Sequence, residues 1–247
     1  MGSDLLAGIL ATRLHESAEP VALVDLGTNG EIVIGNRDRI LCCSTAAGPA
    51  FEGARISAGM RAATGAISAV SLKDGKLVCQ VLGNARPRGL CGSGLVDAIA
   101  ACLDLGSILP SGRMTNGGGV TLAGQVVLLP ADVRELQLAK GAIAAGFELL
   151  CERWGISIDD LHAVYLAGAF GNYISRASAQ RIGLLKFPME KIRPVGNSAL
   201  LGAKMALFDL PRDGSGAYPE ILSRVEHVHL NEHPQFQDVY ADNMGFP

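Results

Sequence analysis

The chain has 247 residues, of which 49% are hydrophobic and 18% charged, so there is ample material for a core and general disorder is excluded. At about 150 residues per domain, one compact α/β domain is expected over residues 4–247, with residues 1–3 read as an expression remnant. Lys and Arg total 21 against 24 Asp and Glu, a net charge of −3. With no basic run or stripe, nucleic acid and anionic membrane are excluded as main partners.

Glycine accounts for 31 residues without a collagen period, which places the excess at turns and close backbone approaches. The six cysteines form no CxxC pair and show no metal-ligand spacing. They read as small buried hydrophobes of a reducing compartment, and the adjacent Cys42 and Cys43 should face opposite sides of a strand. No stretch reaches about 18 apolar residues and no signal peptide opens the chain, so a cytoplasmic location is expected.

In chain order, Ser3 can cap a helix over Asp4–His15 with an apolar stripe of Leu5, Leu6, Ile9 and Leu10. Val21–Asp25 reads as a buried strand. Glu31–Gly35 and Arg39–Ser44 follow as two more strands of an antiparallel meander, turned at Asn36-Arg37-Asp38. Phe51–Ile56 is a short helix or turn. A second hairpin pairs Ile67–Leu72 with Lys76–Leu82 across Asp74-Gly75. Gly92–Leu105 reads as a helix, and Asn116–Gly119 as a loop before a short strand at Gln125–Leu129. Asp132–Trp154 carries the strongest 3.6-residue period and ends at Gly155. Val164–Ala167 is a buried strand. Helices are expected at Ser175–Ile182, Ser198–Leu207 and Pro219–Val225, and strands at Ile192–Val195 and His227–Leu230.

Chemistry concentrates where apolar strands break into glycine. Asp25-Leu26-Gly27-Thr28-Asn29-Gly30 leaves a buried strand and enters a turn. Its glycines let backbone N–H groups approach an anion, and Asp25 sits where a carboxylate can hold the water shell of Mg²⁺ or align an attacking water. A hairpin whose Asp caps its own turn is the plain alternative. Gly168-Ala169-Phe170-Gly171 follows a second buried strand and suits a nucleoside wedged against backbone, or simply a tight strand-to-helix turn. Gly89–Gly94 and Gly196–Ala199 are further glycine bends before helices, where Gly202 and Ala203 suggest close packing. Glu52 and Arg55 flank Gly53 and could contact an adenosine or form a local salt bridge. His15, His162, His227, His229 and His233 are scattered and mostly superficial, with no HxxxH pair on a helix, so no metal site is expected. No GxSxG elbow supports a hydrolase triad.

Together, V-D-L-G-T-N-G-E-I-V, A-A-G-P-A-F-E-G-A, G-L-C-G-S-G-L-V-D-A, Q-L-A-K-G-A-I-A-A-G, Y-L-A-G-A-F-G-N-Y-I and V-G-N-S-A-L-L-G-A resemble the C-terminal ATPase region of ferredoxin-like reductive activators of corrinoid proteins. The resemblance runs over nearly the whole chain in the same order. It implies an α/β, ribonuclease-H-like lobe of the actin-like ATPase fold, a mixed sheet flanked by helices with a hairpin insertion. It implies ATP with Mg as cofactor, shared with a first lobe. Asp25 would take the catalytic role. Gly27, Thr28, Asn29 and Gly30 would form the second phosphate loop, Glu52 and Arg55 the segment near the adenine, and Gly168, Ala169, Phe170 and Gly171 the adenosine motif.

The superfamily site uses two DxGT loops, and this sequence holds one. It also lacks the plant-type C-x₄-C-x₂-C run of a [2Fe–2S] domain. The expectation is therefore a second lobe, inactive alone, whose first lobe and [2Fe–2S] domain lie elsewhere in a parent that activates a corrinoid protein for methyl transfer by ATPase-coupled electron transfer. Two alternatives remain open: a non-enzymatic docking or homodimerisation domain using the Ile67–Leu82 hairpin edge, and a small-molecule kinase of the same superfamily.

Overall fold

The computed structural model describes residues 2–209 and 217–247. The first helix, α1 (Ser3–Thr12), leads into the meander of β1 (Val21–Leu26), β2 (Gly30–Gly35) and β3 (Ile40–Thr45). An insertion follows, made of β4 (Ala66–Lys73), β5 (Lys76–Val81), β6 (Gly89–Leu90), α2 (Gly92–Asp104), β7 (Val120–Ala123) and β8 (Val126–Leu128). The long α3 (Pro130–Trp154) returns the chain to β9 (Ala163–Ala167), α4 (Gly168–Tyr173), α5 (Arg176–Arg181), β10 (Ile192–Gly196) and α6 (Ser198–Asp209). Then α7 (Ala217–Arg224), β11 (Val225–His227) and α8 (Phe236–Asp242) complete the fold.

The main sheet has six strands in the order β10-β9-β1-β2-β3-β11. The meander is antiparallel as expected, whereas β9 lies parallel to β1, with Val21 opposite Ala163 and Asp25 opposite Ala167. A parallel neighbour needs a long crossover, which the insertion and α3 supply. Helices cover both faces, so Val21 to Val24 are all buried in an unbroken apolar run. Alternate residues serve two cores. Ala22, Val24, Leu26 and Cys43 pack toward α2 and α3. Val21, Leu23 and Cys42 pack toward Leu5, Ile9 and Leu10 of α1 and Ala206 of α6. The adjacent cysteines thus face opposite sides, and burial lifts the thiol of Cys42 to about 11.

Several boundaries differ from the sequence expectation. The first helix stops at Thr12, because Arg13 turns left-handed at φ 54° and a separate short turn spans Leu14–Glu16. Gly2, not Ser3, holds the capping position, and no side chain caps α1. The long helix opens at Pro130, whose missing N–H costs nothing in a first turn, while the Asp132 carboxylate accepts the amides of Leu129 and Ser57. Only three residues, Val225–His227, form the last strand, which starts two residues earlier than expected and ends where the expected strand began, and in it Glu226 bridges Arg39 and Arg153. The short strand expected at Gln125–Leu129 is β8, whereas its partner β7 and the helix α8 are additions, built on short segments without a sustained apolar period. His15 is buried, not superficial, and Ala203 is exposed, while Gly202 packs against the Ala7 backbone where α6 crosses α1.

Candidate functional site

β1 and β9 run parallel and end at the same level, with Asp25 opposite Ala167. The next residue, Gly168, has φ 84° and sits against the Asp25 side chain: a Cβ there would lie 2.5 Å from Asp25 Oδ1 and 3.2 Å from the Leu26 carbonyl oxygen. Only glycine fits such a left-handed position with no room for a side chain. The two glycine bends therefore meet at one mouth of the sheet.

The turn after β1 is closed by the Gly27 amide donating to the Asn29 carbonyl at 3.1 Å. The amides of Thr28 and Asn29 donate to no acceptor among the described residues. A third segment joins the mouth, the short turn Pro49–Glu52. The Thr28 hydroxyl donates to Glu52 Oε1 at 2.5 Å. Phe51 stacks on Phe170, with ring centroids 4.5 Å apart and planes inclined by 26°. One short turn thus ties the Thr28 loop to the start of α4.

The start of α2 closes the floor of this turn. A Cβ on Gly92 would lie 1.9 Å from the Phe51 carbonyl oxygen, and one on Gly94 would lie 2.2 Å from that of Ile67. The Gly89–Gly94 bend accordingly serves close packing. Arg55 is left-handed at φ 61° and exposed, and the Glu52 carboxylate accepts from Thr28. Gly171 is buried against Leu166. The side chain of Ala169 lies outside the described atoms.

Beneath the mouth, on the α1 side of the sheet, Asp4, Asp25, Glu31 and His227 line a cavity of about 390 Å³. Burial raises the pKa of Asp25, and the nearby Asp4 carboxylate adds to it. Burial and the charge of Asp25 raise that of Glu31. Three acids on one face favour a positive charge among them. Among the described residues, no group of three or more His, Cys, Asp or Glu side chains is placed to hold a metal ion by itself. That donor set still fits Mg²⁺ held through phosphates and water with one carboxylate, its ordinary mode at nucleotide sites. Phe51 and Asp4 are the contributors not singled out from sequence. An aromatic inside the A-F-E-G segment was a usable signal for the first, whereas nothing local marks Asp4.

Residues 19–247 match the family model described as the C-terminal domain of RACo, the ASKHA domain. The chain belongs to this family. Its fold is accordingly the actin-like ATPase fold. It is 38% identical, over 100% of its length and 46% of the relative's, to "Corrinoid activation enzyme RamQ" of Eubacterium limosum. It is 33% identical, over 86% of its length and 43% of the relative's, to "[Co(II) methylated amine-specific corrinoid protein] reductase" of Methanosarcina barkeri. Among solved structures, "Reductive activator for corrinoid,iron-sulfur protein" aligns with a TM-score of 0.89 and 35% identity, over 100% of this chain and 43% of that one. The chain spans less than half the length of each of these relatives. No helix among the described residues is long and apolar enough to cross a membrane.

Proposed function

We propose that this chain is the nucleotide-binding lobe of an ATP-dependent reductive activator of a corrinoid protein in methyl transfer. The observation that carries the reading is the contact of Asp25 with Gly168, which joins a carboxylate-bearing turn and a nucleoside-type turn at one mouth. The relatives' names and the shared ATPase fold support it.

In this reading, Thr28 and Asn29 direct their unengaged amides at phosphate oxygens, as consecutive N–H groups in a turn do. Asp25 positions the water shell of the bound Mg²⁺ or the attacking water. Phe170, braced by Phe51, supports the nucleoside beside Gly168. Glu52 holds the Thr28 hydroxyl and so fixes the phosphate turn. Closure on ATP and reopening after hydrolysis would change affinity for the corrinoid protein, while the electron comes from a [2Fe–2S] domain outside this chain.

Titration of Mg–ATP into the full-length protein and its Asp25→Ala variant tests the site. A loss of binding heat or of hydrolysis in the variant is expected; equal heats and equal rates would remove Asp25 from this role. A second reading, docking to a corrinoid protein or to another copy without nucleotide, is favoured by the exposed apolar residues Leu200, Leu201, Leu207 and Phe208 on α6. Capture of the corrinoid protein that is indifferent to ATP would favour it.

A further inference from the structure

A second cavity lies between the β4–β5 hairpin, α2 and α5, with a volume of about 560 Å³, within the range of small-ligand sites. None of its lining residues belongs to the Asp25–Gly30 turn, the Pro49–Glu52 turn or α4. Asp97 of α2 lines it, in a helix otherwise made of small and apolar residues up to Leu103.

Asp97 is 7% exposed, and its carboxylate is only half satisfied. One oxygen accepts the Val70 amide at a long 3.3 Å. The other, Oδ1, has no hydrogen-bond partner and is sealed from water. The contrast with Asp132 is instructive, since that buried carboxylate takes a backbone amide on each oxygen. A buried carboxylate oxygen left unmet is costly, and simple packing at position 97 would be served better by an apolar side chain.

The surroundings define what is missing. Arg181, the cation of this cavity, is committed to Asp104 at 2.6 Å and to the Pro247 carbonyl at 2.9 Å. Two carboxylates against one guanidinium leave the lining with one negative charge, and the unpaired one belongs to Asp97. Leu72 and Val78 also line the cavity and stand 38% and 48% exposed, so it combines outward apolar side chains with a buried acid. Ser178 of α5 also lines the cavity, and its hydroxyl interacts with the Asp97 carboxylate and favours the charged form, against the burial that raises its pKa.

We propose that this cavity binds a small organic cation, an ammonium or amidinium group on an apolar body, with Asp97 receiving the charged N–H groups and Leu72 and Val78 covering the body. The site stands independently of the nucleotide reading.

Benzamidine, with benzoate as the control of opposite charge, tests it on the 247-residue chain by amide chemical-shift titration. Saturable shifts centred on Val70 and the middle of α2 are expected with benzamidine and none with benzoate. Asp97→Asn, which keeps the shape, should weaken binding by about tenfold or more, the loss of one charge-assisted hydrogen bond. Leu72→Ser should weaken it several-fold and leave the fold intact, so it decides the matter should Asp97→Asn fail to fold. Absence of saturable shifts, shifts centred elsewhere, equal binding of benzoate, or a folded Asp97→Asn chain or the Leu72→Ser chain that binds as well as the original would overturn the proposal.

Discussion

Asp25 and Gly168 lie more than half the sequence apart, yet a single added carbon on Gly168 would lie 2.5 Å from the Asp25 carboxylate. Gly168→Ala should therefore act twice. The left-handed φ of 84° and the displaced carboxylate should lower stability by about 1–3 kcal/mol in urea unfolding. Nucleotide affinity should fall with it, as read by Mg–ATP titration. Full affinity in Gly168→Ala would separate the two bends functionally.

Asp25→Asn should move stability and binding in opposite directions. Burial and Asp4 raise the folded-state pKa of Asp25 above its unfolded value. Its contribution to stability is therefore fully present below the unfolded pKa, near 3.9, and is lost as pH rises through the folded pKa. At neutral pH the asparagine chain should be the more stable one, with the difference narrowing as pH falls toward 4. Nucleotide binding should weaken nonetheless, the pattern of a residue kept for function at a cost in stability. Chemical denaturation of both chains at several pH values checks the first half.

Thr28→Val removes an exposed hydroxyl whose partner is Glu52 at 2.5 Å. Surface position limits the stability loss to about 0.5–1 kcal/mol. Affinity for Mg–ATP should drop by more than that change suggests, because the phosphate turn loses its tie. Glu52→Gln, which keeps an acceptor, should retain most of the affinity.

The stacked rings separate packing from recognition. Phe51 is buried at 4% exposure, so Phe51→Ala should cost about 3–5 kcal/mol in thermal or urea unfolding. Phe170→Leu keeps apolar bulk and loses mainly the ring pairing, about 0.5–1.5 kcal/mol. Its larger effect should be on nucleoside affinity, measured with ATP and with ADP.

Lys140 gives an alkaline signature. It is 1% exposed in the middle of α3, donates to the Gly245 carbonyl and lies under the Phe246 ring. Burial, with Lys186 nearby, lowers its pKa to about 8 from 10.5. The unfolded chain then holds more protons than the folded one between those values, so stability rises with pH across that window. Compared with Lys140→Met, the native chain should gain up to about 3 kcal/mol between pH 8 and 10.5. A flat difference would mean that Lys140 titrates normally.

Most of the main sheet was legible because its strands are apolar runs bounded by turn residues. Val21–Leu26, the Asn36 turn, whose side chain accepts the amides of Asp38 and Arg39, and the Gly92–Asp104 helix all carry their signals within a few residues. What escaped had weak local patterning. The strand Val120–Ala123 has one buried residue, and α8 is a short helix whose side chains are all partly or fully exposed. The mouth was half legible in the same way. Glycine bends at Gly27–Gly30 and Gly168–Gly171 mark themselves, whereas Phe51 against Phe170, Glu52 against Thr28 and Asp4 beside Asp25 do not.

The order of residues alone dictated which segments became strands and helices and where the backbone had to bend, since burial periodicity and glycine conformation act over a few neighbours. Only the folded chain decided that β9 lies beside β1, so that Asp25 touches Gly168, and that Asp97, with an unmet oxygen, lines a cavity. Those relations depend on strand order and on which buried groups find partners, and both are set by packing between segments far apart in sequence.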